Sequence, residues 1–492
     1  MAERDQHLAP WSLWGSYLSE RQWGTVREDY SADGDAWTSF PHDHARSRVY
    51  RWGEDGLLGL CDEQCRLCFS VALWNGADPI LKERPFGLSN PEGNHGEDVK
   101  DYFFHLANTP THSFMRGLYK YPQQAFPYDE LLKENARRGR DQPEYELIDT
   151  GIFHESRYFD VLIEYAKAGP DDLLIRVTAT NRGPATAPLT LLPTLWLRNT
   201  WRWGYPEEVE HQIGLAPDAG QDASTSTIFT DAIPHLGVYR LDCEEKGSWI
   251  FTDNETNTER LWGQPNATPF QKDGFHRYVV NGEHGAVNPQ SRGSKAAKLL
   301  TRELQPGEAW VVELRLRRAD DSQTSAQTSG VNSPLGQDFD SVFVDREREW
   351  QEYFEHKVPG LSEDDRRIHM AGTAGLLWCK KYYGWSVLRW LAGDPTGSPP
   401  PAERNHLQNA EWKRLHAHDV ISMPDCWEYP YFCQWDLMFH SVAFAVFDPA
   451  TAKEQCMLLR KPQYTAPNAQ TPAYEWALSD PNPPIGAWAA MR

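Results

Sequence analysis

The sequence predicts a chain of two unlike parts, an antiparallel β-sandwich followed by a helical domain. Three observations predict it. Up to about residue 318, short strand-like runs alternate with polar turns. From Ala319 to Ser341 the text becomes polar and low in complexity, "ADDSQTSAQTSGVNSPLGQDFDS", as a solvated boundary would. Beyond it, apolar residues recur at helical spacing behind residues suited to capping.

The β part rests on particular runs. "DDLLIRVTATNRGPATAPLTLLPTLWLRN" holds two of them, 173–180 and 189–197, around an Asn-Arg-Gly-Pro turn, and reads as a hairpin. "SWIFT" and "RYVVNG" read as strands, as do both halves of "AAKLLTRELQPGEAWVVELRLRRA" around its Gln-Pro-Gly turn. A half-buried sheet must cover its apolar face, and many short strands do so by stacking a second sheet on the first. Only "PYDELLKENARRGRD", 127–141, reads as a helix in this region.

The helical part begins with "VDREREWQEYFEHKVPG", read as a connecting helix, so the expected divisions are 1–318, 319–361 and 362–492. Ser362 is placed to cap a helix whose first turn is acidic, running through "EDDRRIHMAGTAGLLWCKKYYGW". Ile368, Ala371, Trp378 and Tyr382 would face inward at that spacing. Helices are expected in "AERNHLQNAEWKRLH", "QWDLMFHSVAFAVF", "DPATAKEQCMLLRK" and "PPIGAWAAMR", making the second part all-α.

Composition narrows the function. A formal charge of −21 repels nucleic-acid phosphates and anionic membranes. The N-terminus lacks a basic stretch followed by an apolar one, and no run of apolar residues is long enough to span a bilayer, so a soluble cytoplasmic protein is expected. The sequons at Asn254 and Asn266 then carry no meaning. Tryptophan is abundant, 21 residues, and serves either a large core or the stacking of sugar rings. "CDEQCRLC" places Cys61, Cys65 and Cys68 at a spacing that can ligate three irons of a cluster. Apolar strand-like flanks and the lack of a Gly-rich cofactor loop favour ordinary buried thiols instead. No cofactor and no metal is expected.

The chemistry concentrates in "WEYPYFCQWDLMFH", from Trp427 to His440, where Asp436 follows an aromatic loop as the chain enters an apolar helix. Asp436 is read either as a catalytic acid kept protonated by its aromatic surroundings or as a helix cap. That stretch, with "LPTLWLRNTWRWG", "TERLWGQPNATPFQKDGFHRYVVNGEHGAVNPQSRGSKAA" and "TPAYEWALSDPNPPIGAWAAMR", resembles the bacterial-type branch of glycoside hydrolase family sixty-three. This family includes processing α-glucosidase I and is related to mannosylglycerate and glucosylglycerate hydrolases.

The resemblance covers nearly the whole chain. It implies an N-terminal super-β-sandwich and a C-terminal (α/α)6 toroid performing inverting hydrolysis of α-linked glycosides, on an oligosaccharide or a small glycoside. It assigns Asp436 as the general acid. Trp427, Tyr429, Tyr431 and Trp435 become candidate walls of the sugar pocket. Tyr474, Glu475 and Trp476 fall in a second substrate-binding loop, with Glu475 also open to a structural role. Glu428 and Asp480 are weaker candidates, and His440 reads as a structural histidine.

Inversion needs a second carboxylate, which the family places late in its toroid. Twelve helices need roughly 200 residues, more than the stretch 362–492 provides. A C-terminally truncated toroid without its general base is therefore expected. The alternative is a carbohydrate-binding protein without catalysis. The oligomeric state is left open.

Overall fold

A computed structural model describes residues 1–22, 27–31, 40–89, 92–93, 98–216, 226–319, 335–407, 409–426, 432–466, 468–476, 478 and 480–492. It is a mixed β-sheet and helix protein, with eleven α-helices among the described residues. Two antiparallel sheets dominate. The first has six strands in the spatial order Trp14–Gly15, Leu60–Asp62, Leu67–Trp74, Ala187–Leu197, Lys295–Leu304 and Ser248–Thr252. The second has nine: Arg292–Gly293, Ile213–Leu215, Thr227–Thr230, Tyr239–Cys243, Ala309–Arg318, Asp172–Asn181, Tyr158–Gly169, Phe114–Pro122 and Phe103–Asn108.

Alternation along the strands sends one row of side chains from each sheet into a shared core. Phe69, Val71, Leu191 and Leu195 meet Val161, Ile163, Ile175, Val177, Leu314 and Leu316 there, all fully buried. The outer face of the six-stranded sheet is also apolar. Ala72, Leu192 and Ala297 are covered by Phe275 on the Gly274–Val279 helix. The first half of "RYVVNG" thus lies in a helix, and the stretch does not form the expected strand. Its valines cover a sheet from outside, and their β-propensity loses to that packing.

The expected 173–197 hairpin is corrected as well. Asp172–Asn181 pairs with Tyr158–Gly169 and Ala309–Arg318, whereas Ala187–Leu197 pairs with Leu67–Trp74 and Lys295–Leu304. The Asn-Arg-Gly-Pro turn carries the chain from one sheet to the other. Asn181 fixes that crossing: its Oδ1 accepts from Gly183 N at 2.8 Å, and its Nδ2 donates to the carbonyls of Ala185 and Leu304 at 2.8 Å each.

The Phe339–Lys357 helix lies against the sandwich. Phe339, Phe343, Trp350 and Phe354 cover Ala107, Phe114, Ala166 and Leu174 on the outer face of the nine-stranded sheet. Ser362 caps the next helix, Glu363–Trp378, by accepting from Asp365 N at 3.2 Å. Trp378 then enters the sandwich core, donates from Nε1 to Ala107 O at 3.1 Å and stacks on His105 at 4.8 Å.

The second part is not all-α. The helix stops at Trp378, and Lys380–Ser386 is a buried strand paired antiparallel with His416–Ser422. Tyr382, Tyr383 and Trp385 fill that strand, and aromatic residues suit a pleated surface closed by a partner strand. Ile368 is 71% exposed and Ala371 is exposed, while Thr373, Ala374, Leu377 and Trp378 form the inward face, so the expected face was rotated. Among the described residues, "AERNHLQNAEWKRLH" holds no α-helix: it contains the short 3-10 turn Ala402–His406 and the first residue of the His416–Ser422 strand. The helices Gln434–Phe447, Pro449–Leu458 and Ile485–Met491 lie where the sequence places them.

Candidate active site

The site is built at the start of the Gln434–Phe447 helix. Cys433 precedes it in an extended conformation and pairs antiparallel with Tyr474, while Gln434 N donates to Ala473 O at 3.0 Å. These contacts fasten the loop around residues 473–476 to the helix start. Cys433 and Tyr474, 41 positions apart in sequence, therefore share one place.

Asp436 sits in the first helical turn, partly buried, and does not cap the helix: Cys433 occupies the cap position and makes no side-chain capping bond. Instead the Cys433 thiol donates to Asp436 Oδ2 at 2.7 Å. Burial and the Asp436 carboxylate push the Cys433 thiol up to about 12, which keeps it protonated as a donor. Glu475 is buried and lies close enough to Cys433 to add to that shift. Its backbone carbonyl accepts from Asn409 Nδ2 at 2.9 Å, which fixes the loop from the other side.

Trp476 packs into a cluster of indoles. It meets Trp390 edge-on at 4.8 Å and Trp385 at 6.1 Å, and Trp385 in turn meets Trp52 at 4.6 Å. Trp52 Nε1 donates to Asp29 Oδ2 at 2.7 Å, and burial raises the Asp29 carboxyl above its ordinary range. Trp435 is 46% exposed and is available to a ligand in solution. His440 accepts or donates through Nδ1 to Ser422 Oγ at 2.7 Å, as a structural histidine does. Asp480 is exposed. Trp427, Glu428, Tyr429 and Tyr431 lie outside the described residues.

A second feature went unnamed at the level of sequence. A cavity of about 330 Å³ lies between the six-stranded sheet and the 380–422 hairpin, with Arg51, Arg198, Trp201, Trp203, Trp385 and Tyr382 in its lining. Arg51 stacks over Trp203 at 3.5 Å and over Trp52 at 4.3 Å, and is paired with Asp394 at 2.8 Å. Flat indoles beside fixed guanidinium donors suit a polyhydroxylated ligand. The alternating Trp-Arg-Trp of "NTWRWG" was the signal for it. Trp385 belongs to both the cavity and the indole cluster that receives Trp476, so the two features share a wall. Among the described residues, no helix is long and apolar enough to cross a membrane.

No protein-family model matches the chain. A Saccharomyces cerevisiae protein that is itself uncharacterised is 40% identical over the full length of this chain. The chain spans about half of that relative, 48% of its length. Among solved structures, similarity extends to a candidate aldose 1-epimerase from Escherichia coli K12, at 9% identity, TM-score 0.23, 44% of this chain and 67% of that one. It extends also to a polysaccharide lyase, at 14% identity, TM-score 0.22, 52% of this chain and 26% of the other. A candidate kojibiose phosphorylase from the human microbiome matches at 10% identity, TM-score 0.21, 90% of this chain and 48% of its own.

Proposed function

We propose that this chain carries the acid half of an inverting α-glycoside hydrolase site, within a longer protein. The observation that carries the reading is the pairing of Cys433 with Tyr474. It joins two of the four stretches that resemble glycoside hydrolase family sixty-three, and puts Asp436 and Glu475 on either side of one thiol. Asp436 acts as general acid toward the leaving glycosidic oxygen, positioned by the Cys433 hydrogen bond. Glu475 and Tyr474 bind sugar hydroxyls, and Trp427, Tyr429, Tyr431, Trp435 and Trp476 supply stacking walls. The carboxylate that activates water, about 6.5–9.5 Å from the acid in inverting enzymes, is assigned to no residue of this chain, which spans 48% of its yeast relative. In this reading 1–318 is the super-β-sandwich, 319–361 the link with its helix, and 362–492 the first part of an (α/α)6 toroid.

The test uses a form extended to the length of the yeast relative, with α-glucosides and with mannosyl- and glucosylglycerate as substrates. Proton NMR should show inverted product, and Asp436→Asn should lower kcat by at least the 100-fold that general acid catalysis supplies. Full activity in Asp436→Asn would sink the assignment. A carbohydrate-binding role without hydrolysis has one observation in its favour. The tryptophan-lined cavity does not include Asp436 among its lining residues. Calorimetric sugar binding that Trp203→Ala abolishes, with no turnover by the extended form, would select that second reading.

A further inference from the structure

We propose that Cys61, Cys65 and Cys68 form a three-thiolate binding site for zinc, with a fourth, exogenous ligand on the side facing the cavity. The inference does not depend on the glycosidase reading, and either can fail without the other.

The fold brings the three thiols together. Leu60–Asp62 and Leu67–Trp74 are neighbouring antiparallel strands, and their register sets Cys61 directly opposite Cys68. The turn between them folds Cys65 back, so that one sulfur from each residue lies within 4.8 Å of the other two. Cys65 Sγ and Cys68 Sγ are 3.7 Å apart. Zinc–sulfur bonds of about 2.3 Å at tetrahedral angles separate their sulfurs by about 3.8 Å. The spacing therefore suits the ion with little rearrangement.

The turn is braced by groups other than the thiols. Asp62 Oδ1 accepts from Arg66 N at 2.6 Å and from Leu67 N at 2.9 Å, and Oδ2 accepts from Gln64 N at 3.0 Å. A loop held in this way keeps its ligands in place without the metal. All three thiols are buried beside Tyr17, Leu18, Trp196 and Tyr382.

Buried cysteines often act as small apolar residues, and packing alone would explain each thiol singly. It does not explain Cys65. That residue has φ +52°, a left-handed conformation in which glycine or asparagine is favoured. A thiol there is held at a conformational disadvantage, and its position completes the triad.

Charge and access also fit. Three thiolates around a dication give a site of net charge −1, and the Arg198 guanidinium lines the same cavity as Cys65. Cys65 is the member of the triad that borders this cavity, beside Gln64 and Arg66. A zinc ion reaches it from that side and keeps its fourth position open there.

The experiment uses the reduced, chelator-stripped 492-residue chain. Cobalt(II) is the spectroscopic probe, and zinc displaces it. We expect one equivalent of cobalt, with thiolate-to-metal charge-transfer bands and the strong visible absorption of a tetrahedral site. Cys65→Gly suits the left-handed backbone and so removes the thiol while sparing the fold. It should weaken zinc binding by more than the roughly 100-fold that loss of an outer-shell partner costs. Cys456→Ser, at a half-buried cysteine outside the triad, should leave the affinity unchanged. Circular dichroism checks that both variants are folded. Absent charge-transfer bands, unaltered zinc affinity in folded Cys65→Gly, or tight binding of copper(I) without zinc would overturn the assignment.

Discussion

Cys433 shows how much one side chain can decide at this site. It starts the helix, pairs with Tyr474 and donates to Asp436, yet nothing in "YFCQWD" marks it as more than a neighbour. Its elevated thiol predicts low reactivity, because the thiolate is the nucleophile. Iodoacetamide at pH 8, followed by mass spectrometry, should modify Cys456 well before Cys433; equal rates would mean that the bond to Asp436 is not maintained. His276 gives a residue-level pH dependence. Leu81 N donates to its Nδ1 at 3.2 Å, and burial lowers the imidazole to about 4. An imidazole lowered by folding favours the native state above the unfolded value near 6.5, and loses that contribution as the pH falls toward about 4. The loss amounts to roughly 3 kcal/mol. Urea midpoints between pH 7 and pH 4 should fall less in His276→Asn, whose side-chain oxygen can still accept from Leu81. Asp436 stands out in the sequence as an acidic group that follows a dense aromatic loop. Its thiol donor and the placement of Glu475 do not, because both depend on pairing across sequence.

The elements divide by whether local sequence decides them. The Gln434–Phe447 and Pro449–Leu458 helices, the Ser362 cap and the Ser248–Thr252 strand agree with their local patterns. Lys380–Ser386 does not, since "CKKYYGW" continues the apolar spacing of a helix and becomes a strand only because His416–Ser422 lies beside it. "RYVV" is the converse, β-prone residues recruited into a covering helix. The 380–422 hairpin is also tightly confined. A Cβ on Gly384 would meet the Tyr382 hydroxyl at 2.8 Å and Trp52 O at 3.0 Å. Gly384→Ala should therefore destabilise the protein by about 1–3 kcal/mol, seen as a lower urea midpoint. It should also perturb the tryptophan fluorescence that Trp52 and Trp385 contribute. An unchanged midpoint would mean that the hairpin packs less closely than its geometry indicates.

At the scale of the molecule, the two parts interpenetrate. Trp378 occupies the sandwich core, and Asp448, wholly buried, links the N-terminal residue Arg4 at 2.7 Å to Lys380 at 3.3 Å. Burial works against the charged Asp448 carboxylate, yet Lys380 and Arg4 together hold it well below the usual carboxylate range. Its contribution is thus present above the unfolded value near 3.9 and is lost only under strong acid. Asp448→Asn leaves buried Lys380 without its carboxylate and half-buried Arg4 with Asp5 alone, and should cost about 3–5 kcal/mol, measured as a lower melting temperature at pH 7. Were the melting temperature unchanged, this linkage would carry no weight in stability. The two-sheet architecture was legible because alternation fixes which face of each strand is buried. The order of strands was not, since register between distant segments leaves no trace in local composition.

One detail of that order bears on how the chain is made. Lys295–Leu304 stands between Ala187–Leu197 and Ser248–Thr252, and Ala309–Arg318 stands between Asp172–Asn181 and Tyr239–Cys243. Both sheets are therefore closed by the last two long strands to leave the ribosome from this half of the chain. Until residue 304 has emerged for the six-stranded sheet and residue 318 for the nine-stranded one, each nascent sheet is split in two and presents unpaired edges, the state most exposed to wrong association. Translation at 5–20 residues per second makes that a wait of many seconds. Synthesis of this protein is consequently the stage at which its strand edges are most open to wrong pairing.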